Sequence, residues 1–515
     1  MGTRQAVYAL MRELDVGTLP ASLDNDLDIV ERPSFPLRGM YAHQHWDYAH
    51  PYALRTWTID EWKSYVDILA LMRVNLFQIW SMAGILPTPF SQEDEAFLRR
   101  YPPVIDHAKV NHGMEVWIGE CANNVCESRD LPPPAQRDYF KVETLKDPGD
   151  PQQMAQLEAA RAEFYKVCNN ADGYWVIDSD PGGFEGSSAS EFVDIMMMNR
   201  RLIDRHTLLG PKAKLVYWMW FGWGNKERER NWLDVAGDLA ARSPEPWLLT
   251  VASDAHWKVA DQLNLTNRTI YYPYGAVEPE PSLPFTTVVP DVVKKVLDVT
   301  DRVGSIRGAM GNAQTPICQL PNIYYFTRAL WNIDRRDEPP YWAVYELARL
   351  IYPERAALLS QAWLSLGHPK APDAESLADK LEALEKACGI GRPGPIGIKL
   401  FPDTGQVARD LAAQLRIHAA AVDFCKMAEK GSDDEQELFD PLARYCLLSL
   451  EWRRHTGFRN YGTNGYDFFP IRTAAHKLWW RENRLNPDIQ RKLTAVLAAK
   501  YEDWEVDLII YPLTH

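Results

Sequence analysis

The sequence has little of what marks a disulfide-rich, membrane-spanning or nucleic-acid-binding protein. Its seven cysteines are scattered over 515 residues, without a CxxC pair typical of zinc sites or a dense framework, and are expected to be mostly free, buried thiols. No apolar run reaches the ~18 residues that a membrane span needs. The net charge is −14 and no basic cluster occurs, whereas phosphate binding requires concentrated Lys and Arg. We therefore expect neither nucleic-acid nor membrane partners.

Short cofactor and metal motifs are also missing. No Gly-rich phosphate loop follows the first predicted strand, and no HExxH-type cluster appears. Catalysis is therefore expected to need no cofactor and no metal. The first residues, MGTRQAVYALMRELDVG, show no charged stretch followed by an apolar one, so no export signal is visible. On this basis the protein is predicted to be soluble, and cytoplasmic or periplasmic.

Aromatic residues, in contrast, are abundant. The chain is 46% hydrophobic and 24% charged, which is ordinary for a globular protein, but it contains 19 Trp and 23 Tyr. These side chains stack on flat apolar faces, such as those of sugar rings, while keeping a polar atom for hydrogen bonding. Most of them are expected simply to fill a large core.

Alternating apolar runs and amphipathic segments predict the fold. We predict that residues 1–35 form an N-terminal helix and a linker. The helix either packs on the next domain or is the remnant of a small α/β domain. Residues 36–335 alternate between strand and helix, with strands starting near 37, 75, 115, 174, 214, 247, 268 and 305. Residues 336–515 are helical throughout. We predict an α/β chain: a (β/α)₈ TIM barrel followed by an all-α C-terminal domain.

The alternative architecture is a doubly wound open sheet. Polar residues, however, recur at the carboxyl ends of nearly all predicted strands, which favours convergence on one barrel mouth over a site at a single switch point.

The stretch GYWVIDSDPGGFEG (173–186) concentrates the acids. If the apolar run continues as a strand, Asp178 and Asp180 project from the same face at its carboxyl end, and Glu185 follows a Pro-Gly-Gly turn. One such aspartate is as often a cap of the next helix. Three acids within eight positions favour a catalytic site.

Carboxylates beside aromatic walls and amides suit glycosidic bond cleavage, in which one carboxylic acid protonates the leaving oxygen and a second carboxylate assists. A separation of ~5 Å predicts retention and one of ~6.5–9.5 Å predicts inversion. Candidate catalytic residues are Asp180, Glu185, Asp178 and Glu120. Candidate sugar-binding residues are His43, His45, Trp46, Asn123, Trp220, Asp254, Tyr274, Asn312 and Gln314.

Two rival functions use the same barrel. A metal-dependent sugar isomerase or lyase would draw its ligands from His43, His45, Glu120, Asp180, Asp254 and His256. A non-catalytic carbohydrate-binding protein would keep the aromatic and amide wall without turnover.

Two stretches carry a resemblance to a known group. The run RQAVYALMREL, a Pro-containing linker and PLRGMYAHQHWDY resemble the junction at which the barrel of β-hexosaminidases and α-glucuronidases opens. The segment GNAQTPICQLPNIYYFTRALWN (311–332) is similar to the amide-rich closing strand and loop of that group. The resemblance implies a glycoside hydrolase. It departs from the hexosaminidase signature, an adjacent Asp-Glu pair, because the acids here are Asp178, Asp180 and Glu185.

The leading hypothesis is an exo-acting glycoside hydrolase that takes an oligosaccharide or glycoside substrate. Asp180 or Glu185 is predicted to be the general acid, with Glu120 or Asp178 as its carboxylate partner. The helical tail offers surface for a homodimer.

Overall fold

A computed structural model describes most of the chain. The described residues are 32–45, 49–220, 228–278, 286, 297, 304–366, 373–387, 404–430, 435–457, 474–475, 478–481 and 484–514. The predicted N-terminal helix at 4–14 and most of the predicted helix at 289–300 lie outside them.

Eight parallel strands close into a barrel, as the sequence predicts. Each pairs with the next along the chain, and the eighth pairs with the first. Their starts lie within about three residues of those predicted. The strands are β1 (Leu37–Ala42), β2 (Leu76–Trp80), β3 (Glu115–Cys121), β4 (Gly173–Ile177), β5 (Lys214–Trp218), β6 (Trp247–Val251), β7 (Thr269–Tyr271) and β8 (Gly308–Ala313).

Aromatic rings fill the barrel interior. Tyr41 of β1 lies with its ring centroid 4.9 Å from that of Trp218 of β5, and the Trp218 centroid lies 5.3 Å from that of Trp175 of β4. The ring centroid of Trp80 of β2 lies 5.1 Å from that of Trp175. Side chains from opposite strands meet only if they point inward, so these rings are core, as expected for most of the aromatic residues.

The outer layer consists of helices that follow the strands. Three of them begin with a capping box, Thr58 with Glu61, Ser91 with Asp94 and Ser188 with Glu191, in which side chains satisfy the free amides of the first turn. The helices are Ile59–Leu71, Gln92–Leu98, Tyr101–Asp106, Pro151–Val167, Ala189–His206, Arg228–Arg242, Asp254–Gln262 and Pro316–Trp331. The last occupies most of the segment that the sequence suggested was a closing strand and loop; Pro316 fits its first turn, where the missing amide costs nothing.

A hairpin between β3 and β4 was not predicted. Asn124–Cys126 pairs antiparallel with Glu143–Leu145, with Cys126 opposite Glu143, and the short helix Tyr139–Val142 precedes the second strand. The hairpin stands outside the closed barrel, beside the carboxyl end of β3.

The region beyond the barrel is helical, as expected. Its helices are Pro340–Ile351, Ala356–Leu366, Ala374–Ala387, Thr404–Lys430, Glu435–Thr456, Pro487–Ala498 and Asp503–Thr514, with a two-stranded sheet of Trp480–Arg481 and Arg484–Leu485. In the part of the chain that the structure describes, no helix combines the length and the apolar character that a membrane crossing requires.

Candidate active site

The carboxyl ends of the eight strands form one rim, here called the mouth. Because the strands are parallel and closed, side chains that follow their last residues converge on it, and this is where barrels place their chemistry. Asp180 lies there with buried amides and aromatic rings, and its charge acts on Glu143 of the neighbouring hairpin.

Asp180 follows β4 at the carboxyl end of the barrel. Burial raises the pKa of Asp180 to about 6, against a smaller lowering by the Trp220 indole. Its backbone has a φ of 85°, a left-handed conformation that a non-glycine residue adopts at a cost. The strand itself ends at Ile177, so the simple alternation expected for Asp178 and Asp180 does not continue to Asp180.

Glu143 is a second titratable carboxyl at the mouth, and the sequence did not single it out. Burial, and then the charges of Asp138 and Asp180, raise the pKa of Glu143 to about 7. Its Oε2 is buried and has no hydrogen-bond partner. Glu143 lies in a strand of three residues, and a sequence pattern of that length does not distinguish a strand from a loop.

Asp178 and Glu120 lie on the side of their strands that faces the helices. Val176, two residues before Asp178, is the register partner of both Glu120 and Tyr217, and the Tyr217 ring packs on Phe192 of an outer helix. Register partners share a face.

Both carboxylates are engaged there. Asp178 accepts hydrogen bonds from the Tyr217 hydroxyl at 3.0 Å and from the Trp220 amide at 3.2 Å. Glu120 accepts from the Ser81 hydroxyl and, at 2.5 Å, from the Ala83 amide; burial raises its pKa, while its Oε2 has no partner. These contacts suit carboxylates that shape the loops after β2 and β5.

The remaining predicted acids lie elsewhere. Glu185 is exposed on the loop after β4, and Asp254 is exposed in the first turn of its helix, where Ser253 is the cap. Trp46 lies outside the described residues.

Glu278, after β7, is a further buried carboxyl. Burial raises the pKa of Glu278 to about 7, and the side chain accepts hydrogen bonds from the backbone amides of Gln314 and Thr315 and from the Thr315 hydroxyl.

Buried amides with no partner line the inside of the mouth. Neither the amide nitrogen nor the amide oxygen of Gln78, Asn312 or Gln314 makes a hydrogen bond, although each residue is 2% exposed or less. Asn312 and Gln78 are the register partners of Tyr41 on its two sides, and the Tyr41 hydroxyl also lacks a partner. Because buried polar groups are nearly always hydrogen-bonded, an ordered water molecule or a polar ligand is expected to complete the bonding of this set.

His43 and His45 form a neutral, buried pair beside these amides. Their ring centroids are 4.2 Å apart, and both rings pack on Trp80. Burial, and then the charge of Arg55, lowers the pKa of His43 to about 3; burial followed by His43 lowers that of His45 well below its usual value. Neutral imidazoles can donate to or accept from a sugar hydroxyl.

Trp220, Tyr274 and Asn123 have different surroundings. Trp220 and the half-exposed Tyr274 form an aromatic corner with ring centroids 4.9 Å apart. The Asn123 amide is engaged by backbone: it donates to the Lys146 carbonyl at 2.8 Å and accepts from the Gly183 amide at 3.0 Å. Asn123 therefore ties the hairpin of Glu143 to the loop of Asp180.

The rival metal site at the mouth has no support in the ligand geometry. Within the described residues, only one group of three His, Cys, Asp or Glu side chains brings its donor atoms together, and it contains none of the residues proposed for that site.

No protein-family model and no curated protein matches the chain. Among solved structures it is similar to a family 89 glycoside hydrolase from Clostridium perfringens in complex with PUGNAc, with a TM-score of 0.42 and 11% identity over 96% of this chain and 60% of that chain. It is also similar to a GH20 β-N-acetylhexosaminidase from Streptomyces coelicolor A3(2), with a TM-score of 0.39 and 13% identity over 62% of this chain and 68% of that chain. A third similar structure is a Flavobacterium johnsoniae chitobiase, with a TM-score of 0.39 and 10% identity over 92% of this chain and 74% of that chain.

These solved structures include a β-N-acetylhexosaminidase, which belongs to the group that the sequence resembles. At these identities and TM-scores the similarities carry no argument. The barrel is therefore assigned from the chain's own strand order, and any activity has to be argued from the mouth itself.

Proposed function

We propose that the protein is a glycoside hydrolase whose two catalytic carboxyl groups are those of Asp180 and Glu143. The observation that carries the proposal is that two neighbouring carboxyls at the barrel mouth have raised pKa values, about 6 and about 7. Groups that titrate near neutrality beside a barrel mouth are candidates for acid–base work.

The pair holds one proton between about pH 6 and pH 7. Asp180 titrates first, and its negative charge then helps to keep Glu143 protonated. In this state Glu143 protonates the leaving oxygen, and the Asp180 carboxylate acts on the anomeric carbon or on a water molecule. The glycosidic C–O bond breaks and the leaving sugar takes the proton of Glu143. Water supplies the hydroxyl group at the anomeric carbon, and its other proton goes to the carboxylate that activates it, from which the pair regains its starting protonation state.

The amide and aromatic lining supports a sugar as the substrate. Gln78, Asn312 and Gln314 offer unpartnered donors and acceptors in pairs, which matches the hydroxyl groups of a pyranose ring. Trp220 and Tyr274 supply an apolar corner against which a sugar face packs.

We propose exo-action, with one terminal sugar of the substrate entering the mouth. Product chromatography on oligosaccharides tests this: single sugars released from the chain end are expected, and internal fragments would contradict exo-action.

Substitution of the two carboxyls tests the catalytic assignment. Asp180→Asn and Glu143→Gln are each expected to lower kcat on an unactivated glycoside at least about 100-fold, because a positioned acid or base contributes about 10²–10⁴. The melting temperature should change little. Glu127→Gln is the matched control, since Glu127 is an exposed carboxylate on the same hairpin.

The leaving group separates the two roles. With a dinitrophenyl glycoside, whose leaving group needs no proton, Glu143→Gln should recover most of the rate and Asp180→Asn should not. Recovery in the opposite variant would reverse the roles. If Glu185→Gln abolished hydrolysis while Asp180→Asn and Glu143→Gln kept the full rate, the proposed pair would be wrong.

A further inference from the structure

A second cluster of ligand-type side chains lies away from the mouth. It consists of Asp67, His107 and His112, here called the Asp67 cluster, whose donor atoms all lie within 4.8 Å of one another. Asp67 is in the last two turns of the helix Ile59–Leu71, which leads into β2, and His112 lies just before β3. The cluster is therefore at the amino ends of the strands, the face of the barrel opposite to the mouth.

Both imidazoles are aimed at the same oxygen atom. His107 Nε2 lies 2.7 Å and His112 Nε2 lies 2.5 Å from Asp67 Oδ1. The His112 side chain is 2% exposed, while those of His107 and Asp67 are 18% and 30% exposed. One face of the cluster is thus open to solvent, which gives an ion a path of entry.

An unusual piece of backbone brings the two histidines together. His107–Asn111 forms a π-helical turn at the end of the helix Tyr101–Asp106. In an α-helix, five residues advance about 140° beyond a full turn, so His107 and His112 would point in different directions. The wider π turn returns them to one side, and such turns occur frequently at functional sites.

We propose that the Asp67 cluster is a binding site for a divalent transition metal of the zinc type. Two imidazole nitrogens and one carboxylate oxygen are ligands that suit Zn²⁺, Co²⁺ or Ni²⁺ rather than Ca²⁺ or Mg²⁺. Zinc–nitrogen and zinc–oxygen bonds of about 2.0–2.2 Å place tetrahedral ligands about 3.3 Å apart. The two histidine nitrogens therefore need to move less than about 1 Å away from Asp67 Oδ1, and the open side leaves a fourth position for water.

The protonation states of the ligands are compatible with binding. Hydrogen bonds from both histidines lower the pKa of Asp67 against the effect of burial, so its carboxylate is available as a ligand. Each neutral histidine binds a metal through the lone pair of Nε2, which requires its proton to be on Nδ1. The Asn111 side-chain nitrogen lies 2.8 Å from His107 Nδ1, so in the metal-bound form the Asn111 amide turns its oxygen to that nitrogen to accept its hydrogen bond.

Metal at this site would fasten two separate pieces of the barrel. Asp67 is 40 residues from His107 and 45 from His112 along the chain, so the ion joins the helix before β2 to the segment that enters β3. The site is remote from Asp180 and Glu143, and its occupancy is independent of the proposed hydrolase activity.

Metal titration of the chelator-stripped, full-length protein tests the proposal. We expect one equivalent of Zn²⁺ to be retained after equilibrium dialysis, measured by mass spectrometric metal analysis, and a rise in Tm on its addition. Co²⁺ should give the intense visible absorption of a tetrahedral site. His107→Ala and His112→Ala should each weaken binding at least tenfold.

His50→Ala is the matched control because His50 also pairs with a single carboxylate, Glu61, at 3.0 Å, but lacks a second histidine. It should bind zinc as the parent does. A parent protein that retains no zinc and gives no cobalt spectrum overturns the proposal. Equal loss of binding in His50→Ala and His112→Ala overturns it as well, and the cobalt spectrum of the parent does not depend on how the variants fold.

Discussion

Asp180 and Glu143 have different pKa values, and the difference determines the pH dependence that we expect for the rate. In the proposed mechanism, Asp180 gains a proton below about pH 6 and no longer serves as the carboxylate, and Glu143 loses the proton that it donates above about pH 7. We expect a bell-shaped profile of kcat/KM between these values. In Glu143→Gln, assayed with a dinitrophenyl glycoside, the alkaline limb should vanish and the acid limb remain. An alkaline limb that persists in this variant would assign it to another group.

The positions of these two residues were unequally predictable. Asp180 could be located because the apolar run YWVI ends abruptly in acids, and strand ends collect at a barrel mouth. Glu143 could not, because its burial and its nearness to Asp180 come from a hairpin with three-residue strands. The helix-facing positions of Asp178 and Glu120 depend on the register between strands, which periodicity within one strand does not reveal.

Among the elements, the hairpin and the loop after β4 act together through Asn123. Asn123→Ala leaves the Gly183 amide and the Lys146 carbonyl without their side-chain partner. The expected destabilisation is about 1–3 kcal/mol, measured by urea unfolding, because buried polar groups lose their bonds. kcat should fall more than KM rises, since the loops carrying the two carboxyls lose their common anchor.

Asn332→Ala is the control for this anchor. Asn332 caps a short 3₁₀ turn through the Asp334 amide, far along the chain from the mouth. It should lower stability without changing kcat. If Asn123→Ala lost stability but kept its full kcat, Asn123 would have no part in positioning the carboxyls.

The eight barrel strands were the most predictable elements. Each is an apolar run bounded by polar or turn residues, and all eight were located. The helix Pro316–Trp331 was not predicted, since the segment was described by its resemblance to a closing strand and loop. Pro321 is buried inside this helix, a position where proline is normally unfavourable. The domain limits at 35/36 and 335/336 stay predictions.

In the whole molecule, the barrel and the C-terminal helices are joined by a buried polar contact. The Tyr52 hydroxyl donates to Asp410 at 2.6 Å, and His455 Nε2 lies 3.0 Å from the same carboxylate. Tyr52 precedes the first outer helix, whereas Asp410 and His455 belong to the helices Thr404–Lys430 and Glu435–Thr456. Burial, with Asp410 next, raises the pKa of Tyr52, so the phenol stays protonated as a donor.

Tyr52→Phe tests how much this contact contributes. Loss of a hydrogen bond to a charged partner is expected to lower the free energy of unfolding by about 1.5–3 kcal/mol, measured by denaturant titration. Tyr65→Phe is the control, because the Tyr65 hydroxyl is buried without a partner and its removal should cost nothing. Equal effects in both variants would show that the contact does not stabilise the junction.

The hairpin that carries Glu143 lies outside the hydrogen-bonded ladder of the barrel. Insertions or deletions in it leave every barrel strand pair intact, while they move one of the two carboxyls relative to the other. For the proposed hydrolase, changes in this surface loop would alter the spacing between the two carboxyls, and with it the stereochemistry of hydrolysis, while the barrel stays constant. The barrel fold and the spacing of the two carboxyls can therefore change independently of each other during evolution.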